Sequence, residues 1–174
     1  MSSKGAAGAG ARELFVDILR LLARLDGVNA EKLGSILEPK YHHGPAARLW
    51  YMERRGYVRR TQNKYVITER GKKVLTEREL WEMTIPAPRR WDGKWHVVLF
   101  DIPADKRKRR DAFRLHIKEL GLLLYQDSVW VHPYPCEQIV RRISDYYFLS
   151  KCVSFAVAEK LTGEQHLMRH FNLS

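Results

Sequence analysis

The chain has 174 residues, 45% of them hydrophobic, and carries 31 Lys plus Arg against 20 Asp plus Glu, a net charge of +11. That apolar fraction supplies packed cores and excludes a disordered polymer, and no apolar run is long enough to span a bilayer. The cationic excess favours a polyanionic partner, because every cation set on a phosphate releases condensed counterions.

The two cysteines, Cys136 and Cys152, are too few for a disulfide framework and show no CxxC spacing. With no signal-peptide core at the start of the sequence, they fit a reducing, cytoplasmic setting. His42 and His43 are adjacent but lack an organised set of partners, so zinc is not expected.

Residues 1–10, rich in Gly, Ala and Ser, read as a mobile tail. Over 11–26 the spacing of Leu14, Ile18, Leu21, Leu22 and Leu25 predicts an amphipathic helix, which Gly27 ends. Asn29 then caps a short helix over 30–37, with Leu33, Ile36 and Leu37 inward and Pro39 beyond it. Pro45 opens a third helix at its first position, where the missing N–H costs nothing. That helix runs to about Arg55, with Leu49 and Met52 inward and Gly56 as terminator. Two β-prone segments around the polar Gln62-Asn63 read as a hairpin over 57–68, and Thr68 starts a further helix to about Met83. Three short helices followed by a basic hairpin predict a winged helix-turn-helix over residues 11–84.

Two prolines in Ile85-Pro86-Ala87-Pro88 favour an extended linker over 85–93. Beyond it, WHVVLF at 95–100 is a compact apolar strand leading into Asp101-Ile102-Pro103. A helix follows over 105–120 with Phe113, Leu115, Ile117 and Leu120 as core candidates, Asp105 as cap and Gly121 as terminator. Strands at 122–125 and 129–132, a helix at 136–149 and a strand at 152–158 complete the order βαββαβ, that of ferredoxin-like folds. The predicted fold class is therefore α+β: a winged helix-turn-helix and a ferredoxin-like domain over 94–160. A tail over 161–174 offers Leu161, Leu167, Met168 and Phe171 to a sheet edge or a partner subunit.

In a helix-turn-helix the recognition helix enters the major groove while a wing touches backbone or minor groove. The DNA-binding candidates here are His43 before that helix, Arg48, Tyr51, Arg54 and Arg55 along it, and Arg59, Arg60, Gln62 and Lys64 in the wing. Arg48 lies one turn in, where a guanidinium reaches guanine O6 and N7; Arg54 and Arg55 suit the helix C-terminus or a phosphate. Trp50, like Tyr51, is of a residue type that more often packs than reads bases. Lys106, Arg107 and Lys108 form a second basic run at the start of the later helix.

The segments Trp91-Asp92-Gly93-Lys94-Trp95, Val97 to Pro103, Arg109-Arg110-Asp111, Ser128-Val129-Trp130 and Pro133-Tyr134-Pro135 resemble the central domain of PaaX-type transcriptional repressors. The resemblance implies a winged helix in front of that domain and a regulator acting on double-stranded DNA as a homodimer. Such proteins generally carry a further C-terminal domain, for which this chain is too short, so the family's acyl-CoA effector is not carried over. The same half is similar to the CRISPR-associated endonuclease Cas-two family. Asp101 matches its strand-end aspartate, residues 106–110 its basic helix, and Gln126-Asp127-Ser128-Val129-Trp130 its Gln-x-Ser-Val-aromatic stretch.

The second resemblance implies a metal-dependent endonuclease in which Asp101 of two subunits holds a divalent ion such as Mg²⁺. The residues themselves give Asp101 a plainer role as a turn residue accepting backbone N–H bonds, with Asp111 paired to neighbouring arginines. The reading preferred from the sequence is a homodimeric, non-enzymatic regulator without a cofactor. The nuclease, or a non-catalytic DNA-bridging subunit gripping backbone through 106–110, is the alternative.

Overall fold

The computed structural model of the chain describes residues 3–25, 27–41 and 45–173, side chains of 3–9 and 11 excepted. Mixed α and β elements with antiparallel sheets make two compact units, Met1–Glu79 and Leu80–Ser174.

In the first unit helix α1 spans Ser3–Arg24. It begins well before the expected start at residue 11, in a stretch whose alanines favour helix although no apolar stripe marks it. The face it buries is Leu14, Ile18, Leu19 and Leu22; Leu21 and Leu25, expected inward, are only half-buried. Helix α2, Ala30–Leu37, has the predicted bounds, and the Asn29 side chain accepts from the Lys32 backbone N–H at 2.8 Å. Its core contribution is Leu33 and Leu37, whereas Ile36 points outward. Helix α3 spans Ala46–Arg54 with Pro45 just before it, and Leu49 and Met52 face the core as expected.

Strands β1 (Val58–Thr61) and β2 (Lys64–Ile67) pair antiparallel around Gln62-Asn63. Both turn residues have positive φ, 46° and 64°, the two-residue geometry whose twist matches that of the strands. A feature with no signal in the sequence is a third, one-residue strand. Val28 exchanges two backbone bonds with Tyr65, at 3.0 and 2.8 Å, and ties the α1–α2 connection to the hairpin. Helix α4, Glu69–Trp81, follows.

The boundary between the units falls earlier than the predicted break at 85. Leu80 is buried in the second core, with Met83 and Ile85 packed beside it. The segment after α4 has no regular secondary structure, and the packing of Met83 and Ile85 makes it no free spacer.

The second unit runs β3 (Trp95–Phe100), α5 (Arg107–Glu119), β4 (Leu123–Gln126), β5 (Val129–His132), α6 (Glu137–Tyr146) and β6 (Val153–Ala158). One antiparallel sheet of order β4-β5-β3-β6 results. Alternation along β3 divides its side chains between two cores. Val98 and Phe100 join Phe113, Ile117, Trp130, Val140 and Ile143 against α5 and α6, while Trp95 and Val97 join Val131 on the other face. That second face is covered by helix α7, Glu164–His170, through the fully buried Leu167. The C-terminal segment thus seals a sheet face of its own chain rather than an edge or a partner. Burying one leucine side chain there stabilises by roughly 2 kcal/mol.

Two expectations for α5 are corrected. Leu115 is exposed and His116 takes the inward position beside Ile117. Asp105 does not cap the helix: it sits in a short 3-10 turn over Ala104–Lys106, and Lys106 occupies the cap position without a side-chain bond.

Candidate nucleic-acid interface

A polar clamp ties α1 to the residues that follow α2. Asp17 of α1 accepts 2.7 Å hydrogen bonds from Lys40 Nζ and from the Tyr41 hydroxyl, just ahead of the segment that leads into α3. Partial burial pushes the Asp17 carboxyl up, but the bonds from Lys40 and Tyr41 and the charges of Lys40 and Arg20 outweigh it. The carboxyl is held below its ordinary value.

With Leu49 and Met52 inward, helical geometry turns Ala47, Trp50, Tyr51 and Arg54 outward. Trp50 is 60% exposed, and the Arg54 guanidinium lies 4.9 Å from its ring centroid, one turn along. Tyr51 is exposed and flanked by Arg48 at 5.7 Å and Arg55 at 5.5 Å. Trp50, set aside in the sequence as a packing residue, is therefore the largest group on this face. Its signal was available: position 50 falls opposite Leu49 and Met52 on the helical wheel. Arg48 departs from the outward face. It is half-buried and lines a cleft of about 330 Å³ with Arg12, Phe15, Tyr51 and Tyr57. His43 lies outside the described residues.

In the hairpin, Arg59, Arg60, Gln62 and Lys64 are all exposed. Pleat alternation sends Arg59 and Lys64 to one face and Arg60 to the other, where it donates to Asn63 Oδ1 across the turn. None of Arg54, Arg55, Arg59, Arg60 and Lys64 is ion-paired among the described residues. Their charges remain open to solvent and to an anion.

In the second unit, Lys108 is exposed and Lys106 half-buried. Arg107 and Arg110 share Asp111, at 3.8 and 3.5 Å, as the sequence suggests for that aspartate. Asp101 is exposed at the end of β3, where its backbone N–H donates to the Cys152 carbonyl at 3.0 Å. Its carboxylate accepts no hydrogen bond from the described residues, so the expected turn bonds are not formed. It opens on a cleft of about 530 Å³ that it shares with Ser128, Lys151 and Ser154. A hard cation needs several oxygen ligands. One carboxylate beside a lysine does not fit such an ion within a single chain, and no group of three His, Cys, Asp or Glu gathers anywhere among the described residues.

Residues 88–168 match the family model described as the PaaX protein central Cas2-like domain. Over those residues the C-terminal unit is similar to a PaaX-type, Cas2-like domain. The match takes in the whole βαββαβ order of the Cas2-like domain and most of α7. No curated protein matches the chain. No helix among the described residues is long and apolar enough to cross a membrane.

Proposed function

We propose that the chain is a PaaX-like transcriptional regulator that binds double-stranded DNA. Its first unit acts as a winged helix-turn-helix, with α3 entering the major groove and the β1–β2 hairpin as the wing. The observation that carries this reading is the set of exposed cations on α3 and the hairpin that form no ion pair among the described residues, with Arg54 braced against the exposed Trp50 ring. Phosphate contacts of this kind position a protein on duplex, and the groups on the outward face of α3 then read base edges.

The Cas2-like domain serves as the dimerisation half of a ferredoxin-like type, a reading supported by its strand order. Leu124 and Val157, on the two edge strands, leave apolar surface open for a second copy. A two-fold dimer carries two reading heads, matching two half-sites of an operator.

The test is fluorescence anisotropy of a labelled genomic duplex from upstream of the gene, titrated at several salt concentrations with Mg²⁺ present. Binding that steepens as salt falls, weakens on Arg59→Ala with Arg60→Ala and leaves the duplex intact supports the regulator. Cleavage of the duplex that is lost in Asp101→Ala would instead establish the nuclease.

A further inference from the structure

Among the described residues, four helices end in the same way. The residue after the cap takes a positive φ, its N–H bonds back three residues, and the next N–H bonds back five. This closure favours glycine, or asparagine, because a Cβ crowds the left-handed conformation. After α3 the residue is Gly56, after α5 it is Gly121 and after α7 it is Asn172, with φ of 71°, 100° and 52°. After α6 it is Phe148, at φ 57°, with its N–H donating to Asp145 O at 2.9 Å and that of Leu149 to Ser144 O at 2.8 Å.

A phenylalanine is a poor choice there for folding, and its side chain does not repay the strain by burial: Phe148 is 75% exposed. Its ring faces a cation instead. The guanidinium of Arg109, on the basic first turn of α5, lies 5.3 Å from the ring centroid. The chain neighbours Asp145, Ser150 and Lys151 are exposed and polar, so the ring is not set in the contiguous apolar patch that a protein partner uses.

We propose that Phe148 and Arg109 form a stacking platform for an unpaired base of a single-stranded nucleic acid. Lys108 and Lys151, both exposed and close in sequence to Arg109 and Phe148, supply phosphate contacts. An exposed aromatic ring beside free cations is the arrangement by which proteins hold single strands, and it tolerates any base because every base has a π-face. These residues belong to the second unit, whereas the proposed duplex-reading residues belong to the first.

The experiment uses the full chain and a fluorescein-labelled oligothymidylate, with Phe148→Gly, Phe148→Trp and Arg109→Ala variants. Glycine suits the backbone, so Phe148→Gly keeps or raises the melting temperature. Loss of one stacked base weakens oligothymidylate binding about five-fold or more, Phe148→Trp retains it, and duplex affinity stays unchanged. Equal oligothymidylate binding by Phe148→Gly would overturn the proposal. So would a drop in melting temperature, which makes Phe148 a folding residue, or a changed sedimentation coefficient, which makes it a contact between copies.

Discussion

The indole of Trp81 lies flat against the imidazole of His116, with ring centroids 4.0 Å apart and planes within 5°. His116 Nε2 is also 3.2 Å from the Leu80 carbonyl oxygen, and Nδ1 is 3.4 Å from the Tyr147 hydroxyl. The Nε2–H tautomer satisfies both, donating to the carbonyl and accepting from the tyrosine. This buried ring is what binds the last residues of α4 into the second core, and it explains why the unit boundary precedes Leu80.

Replacing His116 tests that account. His116→Ala removes the stacked ring and one of the two donors to Leu80 O, the other being the Met83 N–H at 3.3 Å. The expected loss is about 2–4 kcal/mol in urea unfolding. His116→Phe keeps a flat ring against Trp81 and loses only the polar contacts, for about half that loss. Equal losses in the two variants would assign the stability to the hydrogen bonds alone.

Gly71 makes a second stability prediction, at the joint of hairpin and α4. A Cβ there would stand 2.2 Å from the Tyr57 carbonyl oxygen and 2.8 Å from Ile67 Cγ1. Because the nearest atom is backbone, no side-chain rotation relieves the clash. Tyr57 O also accepts from the Thr68 N–H at 3.1 Å and the Thr68 hydroxyl at 3.0 Å, so the carbonyl is held in place. Gly71→Ala is expected to destabilise the first unit by about 3 kcal/mol, read as a lowered urea midpoint.

What could be read before the structure follows from where the physics is local. Asn29, the prolines and the glycines act on their own backbone, and the elements they bound are those predicted. His116 shows the limit. Leu115 and His116 are adjacent on α5, and hydropathy alone assigns the leucine inward. The helix phase set by Phe113 and Ile117 turns the histidine in instead, where Trp81 and Leu80 give it partners. The bridge between Val28 and Tyr65 is likewise invisible, because a single paired residue has no periodicity. At the candidate interface, residue types were legible but orientation was not. Arg48 was expected on the reading face and lies in a side cleft, while Trp50 was expected to pack and is exposed.

His132 gives a pH prediction. Burial pushes its pKa down, the Tyr134 backbone bond opposes this, and the charge of His96 across the strand pair adds to the lowering. With the folded value below the unfolded 6.5, the unfolded chain takes up the proton first as pH falls. Stability is full above the unfolded value, declines as pH drops below it and levels off once the folded ring is protonated too. Melting temperatures should fall between about pH 7.5 and 5 for the native chain and fall less for His132→Phe. An unchanged slope would remove His132 from the acid response.

On the proposed reading the hairpin and α3 answer different measurements. Arg59 and Arg60 sit on opposite faces of the hairpin, so both reach phosphate only if the wing lies along the backbone. Each phosphate contact adds about 0.9 to the slope of log affinity against log salt. The double alanine variant should therefore flatten that slope by roughly 1.8, to the same degree on any duplex. Trp50 carries no charge and should leave the slope alone. Its large apolar face, braced by Arg54 at 4.9 Å, suits a thymine methyl in the major groove. Trp50→Ala should cost about 1–3 kcal/mol on the preferred duplex and little on a random one, collapsing the ratio between them. If Trp50→Ala weakened both duplexes alike, α3 would be a backbone contact and the reading of bases would have to lie elsewhere.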